Sequence, residues 1–276
     1  MGVNCSCHGQ PSKVGAISTR QTAVTTLLQR KLILTPSDDS ATQKLQAFYE
    51  EERQHIPKKV DQYYQSILAN RATAVTSVVV KLSHLGAVGV EYLCRVLPFF
   101  PQLLELRLWK VGLDPTAMER LAYYLPFLKQ LNVLSLEDNN LTDTSIEHVC
   151  KGFKPMKLLQ QLWLGCNLMT PVGAASLASS LRLLDKLETL CLDYNHIESL
   201  GCSLLCTVLC ETNRLQRLSM EACEVGDEAI AHLTCLAQVN APMHLFNLRG
   251  NLFSDKGKLK VERVFGTERV DVSTQL

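Results

Sequence analysis

LNVLSLEDNNL (residues 131–141) is followed 28 residues later by LQQLWLGCNLM (159–169), and 28 residues after that by LETLCLDYNHI (187–197). The three stretches share apolar residues at their first, fourth, sixth and eleventh positions and asparagine at the ninth. Extending the same step in both directions divides the chain into seven rows of 28, beginning at Val75, Leu103, Leu131, Leu159, Leu187, Leu215 and Met243. Slots 1, 4, 6, 11, 19 and 23 are apolar in every row; slot 4, for example, reads Val78, Leu106, Leu134, Leu162, Leu190, Leu218, Phe246. With 46% of the chain apolar, chance would give this on the order of 10⁻¹⁴ of the time, so the period is a property of the fold.

Each row divides into two halves. Slots 4 and 6 alternate with polar slots 3, 5 and 7, the period of a strand with one buried face. Slots 15, 19 and 23 recur at helical spacing. A strand followed by a helix, repeated, predicts an inner parallel sheet and an outer row of helices joined by right-handed crossovers. No row can bury its own apolar face, so stacking creates the core. Slot 9 holds Ser83, Val111, Asn139, Asn167, Asn195, Cys223 and Asn251. An asparagine there can hydrogen-bond the turning backbone from inside the stack, so the turns at Ser83 and Val111 are expected to be less regular. Slot 15 is always Gly, Ala or Ser, from Gly89 to Gly257, which lets neighbouring helices approach closely. Slot 7, which includes Gly165, is expected to face solvent on the concave side.

The pattern LxxLxLxxN/CxL followed by a helix resembles the leucine-rich repeat, and the 28-residue period resembles its ribonuclease-inhibitor-like subfamily. The resemblance covers residues 75–276 and is strongest in repeats three to five. It implies an α/β solenoid, a horseshoe with a parallel inner sheet, and says little about function. Solenoid ends need caps. Residues 38–74 read as a helical N-terminal cap: one helix after Asp38 and Asp39 with Leu45, Phe48 and Tyr49, and one after Pro57 with Val60, Tyr64, Ile67 and Leu68. Val270 and Val272 suggest a shortened eighth strand as a C-terminal cap.

Residues 1–37 are of a different kind. The chain starts Met-Gly-Val-Asn-Cys-Ser, the pattern for N-myristoylation of Gly2, with Ser6 in the hydroxyl slot. One myristoyl chain holds a membrane only marginally. Cys5 and Cys7 are candidates for palmitoylation beside it. Lys13, Arg20, Arg30 and Lys31, with no acid in the segment, would be drawn to an anionic cytoplasmic leaflet. The expectation is a lipid-anchor segment on the cytoplasmic face of a membrane. A basic, Ser/Thr-rich, acid-poor start also fits a mitochondrial transit peptide.

Other features narrow the function. With 28 Lys and Arg against 27 Asp and Glu, a phosphate-tracking nucleic-acid binder is disfavoured. No segment is long and apolar enough to span a bilayer, and no apolar core of a secretory signal is present. The eleven cysteines therefore read as thiols in a reducing compartment. Those of one stripe, Cys202, Cys206 and Cys210, read as core packing rather than as a metal site. No GxSxG, phosphate-cradling glycine loop or HExxH is present, so neither catalysis nor a cofactor is expected. Both tryptophans fall in concave slots. Trp109 and Trp163, with Arg107, Glu137, Asp193 and Tyr194 around them, form the candidate surface for a protein partner, since Trp, Tyr and Arg dominate interface energies. Ser273-Thr274-Gln275-Leu276 resembles a ligand for PDZ domains. The expected function is a lipid-tethered, non-catalytic interaction scaffold. The family resemblance leaves two alternatives open: a small-GTPase regulator resembling Ran GTPase-activating protein, and an enzyme inhibitor resembling ribonuclease inhibitor.

Overall fold

The computed structural model describes residues 40–70, 75–81, 84–212, 214–239 and 243–273. The proposed lipidation residues Gly2, Cys5 and Cys7, the turn residue Ser83, the side chain of Ile67 and the last three residues lie outside the described residues.

Among the described residues, eight strands form one parallel sheet in strict chain order: β1 (Ser77–Lys81), β2 (Glu105–Trp109), β3 (Val133–Ser135), β4 (Gln161–Trp163), β5 (Thr189–Cys191), β6 (Arg217–Ser219), β7 (Leu245–Asn247) and β8 (Val270–Asp271). Register follows the sequence period. Leu106 faces Leu134, which faces Leu162, then Leu190, Leu218 and Phe246. At the last pairing the step shortens, so that Phe246 faces Val270. The crossovers are the outer helices α3 (Gly86–Val96), α4 (Pro115–Tyr124), α5 (Asp143–Lys151), α6 (Pro171–Leu181), α7 (Glu198–Thr212), α8 (Ile230–Val239) and α9 (Asp255–Phe265). Slot-4 and slot-6 side chains such as Leu134, Leu136, Leu162 and Leu164 are completely buried between the sheet and these helices. The core is one continuous body, as a stack of incomplete units requires.

Two further helices, α1 (Ser40–Glu52) and α2 (Lys58–Asn70), cover the apolar end at α3. They bury Leu45, Tyr49, Val60 and Tyr64. The Tyr64 hydroxyl donates to the carbonyl of Tyr92 on α3, so this buried phenol is satisfied, and desolvation raises its pKa well above the usual tyrosine value.

What bends the chain from strand to helix is a left-handed residue at slot 8. Lys110, Asp138, Cys166, Tyr194 and Ala222 have φ between 50° and 56°, and Gly250 has 68°. Each non-glycine residue there costs about 1 kcal/mol. The cost is offset by a hydrogen bond repeated along the stack. The slot-8 N–H donates to the slot-7 carbonyl of the next repeat: Asp138 to Gly165, Cys166 to Asp193, Tyr194 to Glu221, Ala222 to Arg249. The slot-9 asparagine completes the turn. The Asn139 Oδ1 accepts from the N–H groups of Val111 and Gly112, and its Nδ2 donates to the carbonyls of Leu108 and Glu137. The turn at Val111, expected to be less regular, is thus held from the following repeat.

The small residue at slot 15 has more than one cause. At Gly201 a side chain would meet Ala174 Cβ at 2.9 Å, the close helix approach expected from the sequence. At Gly173 and Gly257 it would strike Asp143 Oδ1 at 2.4 Å and Asp227 Oδ1 at 2.0 Å. These two aspartates reach across to the next repeat. Asp143 accepts from the N–H groups of Thr170 and Gly173, and Asp227 from that of Ser254, so each satisfies donors at the start of its neighbour's helix.

Candidate interaction surface on the concave sheet

Slots 3, 5 and 7 line the concave face. Its N-terminal third is basic and aromatic. Lys81 on β1 places its ammonium 6.0 Å from the centre of the Trp109 ring, and the Arg107 guanidinium lies 6.0 Å from that of Trp163. Arg107 therefore extends from β2 across β3 to β4. It also hydrogen-bonds Glu105. Trp163 Nε1 faces Gln161 Oε1 at 3.4 Å. Both tryptophans are half-buried, with cations lying along them at the outer range of a cation–π contact.

Beyond β3 the face turns acidic. Glu137 accepts from the Ser135 hydroxyl at 3.0 Å. Burial pushes its carboxyl pKa above the usual range, a shift that Ser135 and Arg107 reduce but do not cancel. Asp193 is held further in. It accepts from the Ser219 hydroxyl at 2.6 Å, from the Glu221 N–H at 2.8 Å and from the Cys191 thiol at 3.2 Å. Desolvation raises its pKa too, against these donors. The Tyr194 hydroxyl donates to Glu221 at 2.8 Å, and Asn247 donates to the other Glu221 oxygen at 3.0 Å.

The sequence-predicted residues therefore fall into two sets. Arg107, Trp163 and Glu137 adjoin one another around Ser135, with Trp109 beside Lys81. Asp193 and Tyr194 belong to a separate polar network with Ser219, Glu221 and Asn247. Asp193 spends its acceptors on bracing β5 against the turn after β6. Sequence reasoning placed Asn247 on the concave face only as a control position and did not single out Lys81, Ser219 or Glu221. The signal for them was present: acids occupy slot 7 in two consecutive rows, with serine and asparagine at the adjoining slot 5.

Two expectations need correction. Gly165 is buried rather than solvent-facing. A methyl group there would sit 3.3 Å from the Asp193 carbonyl oxygen and 3.5 Å from Glu137 Oε1, because neighbouring side chains close over the gap that glycine leaves. Nor is the α7 cysteine stripe wholly core packing. Cys94, Cys150, Cys191, Cys202, Cys206, Cys210, Cys223 and Cys235 are free thiols. Within the Cys202–Cys206–Cys210 stripe only the first two are buried in the core; Cys210 is partly exposed.

No family model matches the chain, and no curated protein matches it. Solved structures do. A structural-genomics protein from Bacteroides fragilis superposes with a TM-score of 0.50 at 15% identity, over 83% of this chain and 73% of its own. Actin-binding site 2 of leiomodin-1 gives a TM-score of 0.46 at 15% identity, over 67% of this chain and 90% of its own. An internalin from Listeria monocytogenes gives 0.39 at 20% identity, over 65% of this chain and 57% of its own. At such identities the likeness concerns the fold alone.

Proposed function

We propose that the chain is a non-catalytic protein-interaction scaffold, a leucine-rich-repeat solenoid of the ribonuclease-inhibitor-like kind that binds a protein partner on its concave sheet. Residues 1–37 act as a lipid anchor through Gly2, with Cys5 and Cys7 or the basic residues as the second signal; 38–74 act as a cap; 75–276 form the repeats. The observation that carries the reading is the Arg107–Trp163 pair, with Trp109 beside it, on a face that no described element covers. A guanidinium stretched along an indole is held in place before a partner arrives, so less side-chain freedom is lost on binding. Trp and Arg together at the centre of a surface are the usual energetic anchors of an interface.

The test is a capture of native partners with Trp109→Ala and Trp163→Ala, using Arg217→Ala, an exposed slot-3 change, as the concave control. Both tryptophan variants should keep their thermal midpoint and lose a partner that the control retains. Retention of every partner by both variants would move the binding surface off this face. The tether is tested separately: Gly2→Ala should shift the protein from the membrane to the soluble fraction, and an unchanged distribution removes the anchor from the reading.

A further inference from the structure

Cysteine on α7 recurs every four residues, and the repeat explains only part of it. Cys202 and Cys206 are buried, their sulfurs 3.9 Å apart. Cys206 occupies slot 20, where other rows carry Cys94, Cys150 or Ala178 in the core. Cys210 occupies slot 24, filled elsewhere by Pro98, Pro126, Lys154, Arg182, Gln238 and Gly266. Cys235 on α8 occupies slot 21, filled elsewhere by Arg95, Tyr123, Lys151, Ser179, Thr207 and Arg263. Neither slot is a core position in the other rows; Cys210 packs only partly against the core, and packing does not account for the exposed Cys235. Cys210 is partly exposed and Cys235 exposed, and their sulfurs stand 3.7 Å apart across the junction of repeats five and six. The preceding junction is bridged from slot 24 by an ion pair, Arg182 to Glu211 at 2.7 Å. Here two thiols take that place.

We propose that Cys210 and Cys235 form an oxidation-sensitive dithiol, closed to a disulfide between α7 and α8 by a hydroperoxide. Cys235, the exposed sulfur, is the one that the oxidant reaches. Its thiolate attacks the O–O bond, one oxygen stays as sulfenic acid, and the other leaves as water or an alcohol after taking a proton. The Cys210 sulfur then displaces the hydroxyl. An S–S bond forms, the S–O bond breaks, and the thiol proton leaves with the hydroxyl as a second water. Two thiols lose two electrons and the hydroperoxide gains them. Burial and the neighbouring Cys235 push the Cys210 thiol up to about 12, which disfavours it for the first attack. The sulfurs must close from 3.7 Å to about 2.05 Å, a side-chain adjustment at the surface. Because solenoid stability is a sum over neighbouring units, the bond strengthens a single junction.

The full-length protein is reduced, freed of reductant and treated with stoichiometric hydrogen peroxide. Peptide mapping under non-reducing conditions should show a Cys210–Cys235 cross-link that disappears with dithiothreitol, together with a thermal midpoint several degrees above that of the reduced protein. In Cys210→Ser, Cys235 should accumulate as a sulfenic acid trapped by dimedone; in Cys235→Ser, Cys210 should remain a thiol. The wild-type map decides the matter whether or not the variants fold. Oxidation of Cys235 without the cross-link, or its appearance in a disulfide with any other cysteine, overturns the proposal.

Discussion

The turns of repeats four and six share a left-handed residue at slot 8, Cys166 and Ala222, and are held by different chemistry. Asn167 accepts from the N–H groups of Asn139 and Leu141 and donates to the carbonyls of Leu136, Leu164 and Gly165. Cys223, in the equivalent slot, is as buried, but its thiol only donates weakly, to the Leu192 carbonyl at 3.2 Å and that of Glu221 at 3.4 Å. The slot-8 bend is kept in repeat six, with Glu224 also left-handed, because Asn251, one repeat on, supplies the oxygen that accepts from the N–H groups of Cys223 and Val225. Each turn is thus held partly by its own slot 9 and partly by the next. A weak link is tolerated where its successor is strong.

The largest expected effect tests that difference directly. Asn167→Ala leaves two N–H and three carbonyl groups without their buried partner. At about 1–3 kcal/mol for each group that stays unsatisfied, and with some relaxation, the loss should be about 3–5 kcal/mol. Cys223→Ala removes weak donor contacts and little volume, and should cost about 1 kcal/mol. Urea midpoints of the two variants against wild type decide it. Equal losses would mean that slot 9 works by filling space.

A smaller effect sharpens the comparison at the helix end of the repeat. Repeats three and six carry Asp143 and Asp227 at slot 13, and each holds the next helix start. Gly257→Ala would force Asp227 away from Ser254, at about 1–2 kcal/mol, the scale of a lost helix cap. In an Asp227→Ala background the same change should be nearly neutral, because the obstructing carboxylate is gone. Gly201→Ala meets Ala174 Cβ and Ile197 Cγ2 instead, so its cost should not depend on a neighbouring aspartate. Thermal midpoints of the four combinations at residues 227 and 257 measure the coupling; strict additivity would show that the glycine and aspartate are not a matched pair.

These contrasts also indicate what could be read from the sequence. Strand order, register and buried slots were legible because a 28-residue step repeats the same physical demand seven times. The asparagine's role was legible for the same reason. The two causes of slot-15 glycine were not: Gly201 and Gly257 are the same letter, and the distinction rests on whether an aspartate lies one repeat earlier. The concave face was least legible. Odd slots carry no common demand, so which of Arg107, Glu137, Asp193 and Tyr194 meet depends on side-chain reach. Arg107 spans two strands, while Asp193 turns inward to Ser219. The burial of Gly165 was missed for the same reason, since slot 7 is open only when its neighbours are short.

The smallest expected effect lies at that covered glycine, two residues beyond β4 and leading into the Asn167 turn. Glu137 lies over Gly165, and burial outweighs Ser135 and Arg107, raising its pKa in the folded protein above its unfolded value. The folded state therefore binds the Glu137 proton more tightly than the unfolded chain does. The stability that this contributes is fully present below the unfolded carboxylate value of about 4.3 and is lost as pH rises through the folded value. Glu147, exposed on α5 beside Lys151, is shifted downwards and has the opposite sign, losing stability as pH falls. Glu137→Gln keeps the shape and one acceptor for Ser135 but never ionises. It should match wild type near pH 4 and melt slightly higher at pH 7, by a degree or two on the scale of about 2–4 °C per kcal/mol for a chain of this size. Midpoints of both proteins across pH 4 to 8 give the difference curve. A curve of opposite slope, with the variant less stable at pH 7 than at pH 4 relative to wild type, would mean that Arg107 stabilises the carboxylate by more than burial costs it. The concave face would then hold a stabilising Arg107–Glu137 ion pair within its first set rather than a desolvated acid.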